Sequence, residues 1–192
     1  MEFNRIGIKI FAEESDKVAL EEFIPIFHRW IQNKALDDLL IDVADYSHVY
    51  AGPGTLLVAH EGNYGYEETD NQRGLVYYAK TELSGNMPER LLTVCRKVLK
   101  ACLLIETDDE INGRISFNGG ELQVFANDRL RAPNNDQTFS EFEPALREFL
   151  TQLFNGTNYQ YERGTDPRER FTVNVKTTDN VSIKELLNRL SN

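Results

Sequence analysis

At 192 residues, with 41% hydrophobic and 10% aromatic side chains, the chain has the composition of a folded protein. It can bury roughly 70% of the surface its unfolded form exposes, so it needs no metal or disulfide to hold a core. Lys and Arg number 21 against 31 Asp and Glu, a net charge of −10, which disfavours contact with nucleic acid or anionic lipid; no basic stripe interleaved with aromatics appears either. No apolar run approaches the roughly 20 residues needed to span a bilayer, and MEFNRIGIKIF lacks the charged-then-apolar order of a secretion signal.

Alternation of Ile6, Ile8 and Ile10 predicts a first strand over about residues 5–12. Leu20, Phe23, Ile24, Phe27, Trp30 and Ile31 then recur at helical spacing, with Pro25 requiring a late start or a kink. LLIDVADY is short, apolar and β-branched, a strand; Thr55–Glu67 and Gly74–Glu82 read as two more. Asn86 and Pro88 open a long helix whose broad apolar arc, Leu91 to Leu103, places it near the middle of the core. Cys95 and Cys102, the only cysteines, share a face of that helix, so they are expected as buried thiols of a cytoplasmic protein. RISFNGGELQVFAND reads as a hairpin turning at Asn118-Gly119-Gly120. A helix over about Ser140–Phe154, a hairpin turning near Asp166-Pro167 and a short amphipathic helix in SIKELLNRL complete the chain.

Two parts of the sequence repeat one another in one order. IKIFA matches LQVFA, EFIPIFHRWI matches EFEPALREFL, Tyr64-Gly-Tyr66-Glu67 matches Tyr159-Gln-Tyr161-Glu162, and Lys80-Thr81 matches Lys176-Thr177. The expected fold is therefore α+β: two β-α-β-β repeats related by a pseudo-two-fold axis, joined by a central helix and strand, with sheets covered by helices. The first half spans 1–82, the connecting helix and strand 83–120, the second half 121–178 and a C-terminal tail 179–192, all in one compact domain. Phe11 is then equivalent to Phe125, Phe23 to Phe142, Pro25 to Pro144 and Tyr64 to Tyr159. Convergent patterning of the same element types gives similar matches without duplication. Residues of about 39–62 are an insertion that the second half lacks, and functional groups tend to sit on such additions to a rigid scaffold. An extra hairpin covering a sheet edge is the structural counterpart.

Asp45, Tyr46, His48, Tyr50, His60 and Tyr64 are the candidate binding residues. His48 and His60, with Asp42, Asp45 and Glu61 near them in sequence, are the residue types of a metal or acid–base site, but no HExxH, CxxC or EF-hand spacing supports one. The bland alternative is a half-buried histidine bonded to a tyrosine or carboxylate. Alternation along one long strand puts His60 on the face of Tyr64 and Tyr66, and the Gly-Pro-Gly turn at 52–54 is expected to bring the His48 loop to one end of that strand. No cofactor motif is present: GPG lacks the Lys-Ser/Thr of a phosphate loop, and no GxGxxG follows a strand. Two function classes remain. One is a non-catalytic interaction or assembly module, binding another protein or itself as a homodimer; the other is a small-molecule or metal-dependent enzyme centred on 45–66.

At FIPIFHRWIQ, LLIDVADYSHVYAGPG, LLVAHEGNY and NDRLRAPN the chain resembles a family of uncharacterised bacterial proteins with cyanobacterial members, over most of its length to about Thr177. The resemblance implies a bacterial cytoplasmic protein with no established activity, and it adds no catalytic residue.

Overall fold

The computed structural model describes residues 3, 5–13, 18–50, 52–156, 158–179 and 181–190. Among these residues eight strands form one antiparallel sheet: β1 (Ile6–Ala12), β2 (Leu40–Tyr46), β3 (Gly54–Ala59), β4 (Gly62–Thr69), β5 (Gln72–Ala79), β6 (Phe117–Ala126), β7 (Tyr159–Arg163) and β8 (Phe171–Thr177). Their order across the sheet is β2-β3-β4-β5-β1-β6-β8-β7. Helices α1 (Phe23–Asn33), α2 (Met87–Glu106), α3 (Asp136–Phe154) and α4 (Ile183–Arg189) pack into one core with this sheet.

Helices α2, α3 and α4 begin where a side chain accepts from a free amide of the first turn. Asn86 accepts from the Glu89 amide while Glu89 accepts from the Asn86 amide, a reciprocal cap before α2. Asn135 caps α3, which begins at Asp136, four residues ahead of the expected start at Ser140. A single 3-10 turn at Leu20–Glu22 precedes α1, so Pro25 falls in the helix's first turn, where its missing amide costs nothing. Trp30 is 5% exposed and packs on Phe27, as the apolar stripe predicts. Cys95 and Cys102 are buried and unpaired, and burial pushes both thiols up.

Ile6, Ile8 and Ile10 point into the helical core, together with Tyr64, Tyr66, Leu75, Tyr77, Leu122, Val124 and Val173. The registers of the ladders put Gly7, Lys9 and Phe11 on the opposite face, beside Val76 and Tyr78 of β5 and Gln123 and Phe125 of β6. Among the described residues no helix covers that side. Even so, Phe125 is 1% exposed and Lys9 1%. The sheet achieves this by curling: one depression is lined by both Pro53 and Leu56 at its β3 side and Phe125 and Arg170 at its β6–β8 side. In a flat sheet β3 and β6 would lie four strand spacings, roughly 19 Å, apart. Gly7 lets the curl close, because a Cβ there would come within 2.3 Å of the Phe125 ring.

Three sequence expectations are corrected. Residues 55–67 are two strands, reversing at His60-Glu61. A two-residue reversal exchanges the faces of odd and even positions, so Leu56 and Tyr64 end on opposite sides of the sheet. Asn118-Gly119-Gly120 is not a turn: Phe117–Ala126 is one strand, so no separate RISF strand connects the halves. The glycines admit a neighbouring segment instead, since a Cβ on Gly119 would sit 2.0 Å from the Val181 carbonyl oxygen. Asp70-Asn71, in the polar stretch between two strands read from the sequence, form a tight turn from β4 to β5, both left-handed (φ 56° and 57°).

Gly119→Ala is therefore expected to cost about 1–3 kcal/mol through forced separation of the two segments. A urea midpoint equal to that of the wild type would show that the chain around Val181 is not packed there.

Candidate functional site

The structure divides the six candidate residues among three places. Asp45, Tyr46, His48 and Tyr50 lie at the end of β2 and in the loop that follows it. All four are exposed, Tyr50 at 99%. The loop is a local construction: Asp45 accepts from the Ser47 amide at 2.9 Å and from its hydroxyl at 2.6 Å, and the Val49 and Gly52 amides bond back to Tyr46 and Val49. The Ser47 hydroxyl and amide hold the Asp45 carboxyl below its ordinary value. Gly54 takes φ 64°, and a Cβ there would strike the Tyr66 carbonyl, so this position requires glycine.

His60 stands at the other end of β3, in the reversal to β4. The length of β3 separates it from the His48 loop by roughly 20 Å. Its side chain is 65% exposed, and its nearest carboxylate is Glu61 at 3.9 Å. The two histidines therefore do not share a site. Among the described residues no group of three or more His, Cys, Asp or Glu side chains is placed to hold a metal ion. The half-buried histidine expected from alternation is likewise corrected, because His60 lies in a turn and not within a strand.

Tyr64 is 1% exposed and belongs to an interior polar cluster. Its hydroxyl donates to Asp38, whose other carboxylate oxygen pairs with Lys97 Nζ at 2.7 Å; the Tyr77 ring lies 4.7 Å away, tilted by 51°. Burial, with Asp38 adding to it, pushes the Tyr64 hydroxyl up, so it remains a donor. The cluster ties the segment after α1 to α2. Sequence reasoning missed Asp38, whose LDDLL context reads as a solvated loop.

What the insertion does provide is a surface. β2 and β3 form the hairpin at one edge of the sheet, and among the described residues β2 has no strand beyond it. Six large hydrophobic side chains stand out as exposed among the described residues, and five lie here: Leu39, Ile41, Tyr46, Val49 and Tyr50. Interleaved with them are Asp42 and Asp45, with no lysine or proline within β2. The opposite edge, β7, differs. It is five residues long, its tyrosines pack against the core, and its terminal Arg163 pairs with Asp136.

The helix-free face holds a second constellation, also missed in the sequence. Lys9 Nζ pairs with Glu67 and donates to the Gln72 carbonyl at 2.6 Å. Arg170 lies flat on Phe125, 3.7 Å from the ring centre. The only signal for Lys9 was its place inside an Ile-rich strand. Arg170, in the run DPRERF, carried none.

No protein-family model matches the chain, and no curated protein or solved structure is similar to it.

Asp38→Ala should cost about 2–3 kcal/mol, because it leaves the Tyr64 hydroxyl without its acceptor and Lys97 without its counter-ion. His48→Ala and His60→Ala should each stay within about 0.5 kcal/mol of wild type, as exposed substitutions do. Chemical denaturation of the three variants checks both statements, and a histidine variant as damaging as Asp38→Ala would contradict this division of roles.

Proposed function

We propose that the protein is a non-catalytic interaction module of the bacterial cytoplasm that engages another polypeptide by adding a strand to the β2 edge. The observation that carries this reading is the concentration of exposed apolar side chains at Leu39–Tyr50, on and beside a strand whose outer edge is unpaired among the described residues. Exposed edges normally carry lysine, proline or a covering element that discourages pairing. A strand added there gains backbone hydrogen bonds along β2, while Ile41 and Tyr46 offer contacts to its side chains. Asp42 and Asp45 favour a partner segment that mixes apolar residues with Lys or Arg. The charge of −10 on each copy opposes self-pairing, so a heterologous partner fits better than a homodimer.

The insertion reading of this edge rests on a duplicated scaffold. Strand order supports it: β4-β5-β1 on one side of the sheet's middle is matched by β7-β8-β6 on the other, and β1 and β6 pair symmetrically about Lys9 and Gln123. The matched residues Phe11 and Phe125 lie on β1 and β6, and Phe23 and Phe142 on α1 and α3. The outer hairpins have drifted. Tyr64 faces Tyr77 and Tyr159 faces Thr177, whereas the sequence match pairs Thr177 with Thr81, four residues further along. On this reading the β2–β3 hairpin is the first half's own addition, and the interaction edge came with it.

The test is the double variant Leu39→Lys, Ile41→Lys, which leaves the core untouched. It should keep the wild-type denaturation midpoint and lose the partner that wild-type protein captures from native lysate, or lose the dimer if sedimentation shows the wild type to be one. Retained binding by the charged variant, or a wild type that captures nothing and sediments as a monomer, would sink this reading.

A further inference from the structure

The helix-free face contains a cation whose charge the fold leaves unmatched. Arg170, just ahead of β8, is half-buried, with its guanidinium laid on the Phe125 ring. Among the described residues it makes no ion pair. Its hydrogen bonds are two long ones, to Asn127 Oδ1 at 3.4 Å and Gln123 Oε1 at 3.5 Å, both neutral amide oxygens. Guanidinium carries five N–H donors in one plane, so most of its capacity is open. Burial pulls Arg170 below its ordinary value; Glu67, Asp70 and Glu169 act on it only at longer range.

The depression beside it has a volume of about 340 Å³, at the lower end of small-molecule sites. Pro53, Leu56, Val76 and Phe125 give it apolar walls. Tyr78 adds a polar group: its oxygen accepts from Asn63 at 2.7 Å, so its own proton is available to donate. Glu67, also in the wall, is already neutralised by Lys9 beneath it and bonded by Thr69. Arg170 is the cation left over there: Lys9 is taken up by Glu67, and among the described residues no carboxylate pairs directly with the guanidinium.

We propose that this depression binds a small organic monocarboxylate, with its carboxylate on the Arg170 guanidinium and the Tyr78 hydroxyl and its hydrocarbon part against Leu56, Val76 and Phe125. The planar, two-donor edge of the guanidinium matches a carboxylate. The aromatic beneath it holds the guanidinium plane in place before any ligand arrives. The apolar walls select against a bare inorganic anion, which would leave them dry and unfilled. This site is on the sheet's face, distinct from the β2 edge, and does not depend on the interaction reading.

The test uses benzoate and hexanoate as probes, with benzamide and inorganic phosphate as controls, in calorimetric titration of the intact chain. Benzoate or hexanoate should bind at least about ten-fold more tightly than benzamide or phosphate, the worth of a charge-assisted hydrogen bond. Arg170→Gln should reduce carboxylate affinity by about ten-fold or more, with the far-ultraviolet spectrum unchanged. Should that variant fail to fold, Tyr78→Phe serves instead and should weaken binding several-fold. The proposal is overturned if neither carboxylate binds the wild type, if phosphate or benzamide binds as well, or if the variant tested retains full affinity.

Discussion

A lysine in the middle of the central strand of an eight-stranded sheet has to be matched where it stands. Lys9 is 1% exposed, and a buried ammonium without a counter-charge costs several kcal/mol. Its partner is Glu67, two strands away across β5, and its second acceptor is the Gln72 carbonyl at the start of β5. Burial pulls the Lys9 ammonium below its ordinary value, against the pull of Glu67. The pair forms across β5 on the helix-free side, toward which the sheet curls. That curl removes Phe11, Val76 and Phe125 from water with no second layer of helices.

The same geometry separates the molecule's surfaces. The described helices pack into the core on one face, which leaves the sheet's other face and its edges open. The curled face concentrates charge near apolar walls. The β2 edge does the reverse, exposing apolar side chains among carboxylates. The interior Asp38–Tyr64–Lys97 cluster, which has the residue types of an acid–base site, instead fastens the segment after α1 to α2.

Local chemistry made much of the fold legible. Ile6, Ile8 and Ile10 announced β1; Asn86 and Pro88 announced α2; the amphipathic pattern of SIKELLNRL announced α4, which Ser182 caps. The failures have physical causes. Leu-Leu-Val-Ala-His-Glu-Gly-Asn-Tyr keeps an apolar-then-polar rhythm through a reversal that contains no proline and places its glycine just after it, so two strands looked like one. That error carried His60 to the wrong face and assembled a site with Tyr64 that the fold does not make. Asn118-Gly119-Gly120 has turn composition, but its glycines answer to the chain at Asp179 and Val181, a contact across some sixty residues that no local pattern reveals. Lys9, Glu67 and Arg170 are distant in sequence, and only the antiparallel registers and the curl bring them to one face.

The most direct measurement is a double-mutant cycle on the pair at the sheet's centre, with Lys9→Met, Glu67→Gln and both together, followed by urea denaturation. If the ion pair fixes the curled face, each single change is destabilising and the double variant recovers part of the loss, with a coupling energy of about 1 kcal/mol or more. Additive losses, agreeing within about 0.5 kcal/mol, would mean that Lys9 and Glu67 do not hold one another, and that something else closes the face on which the carboxylate site depends.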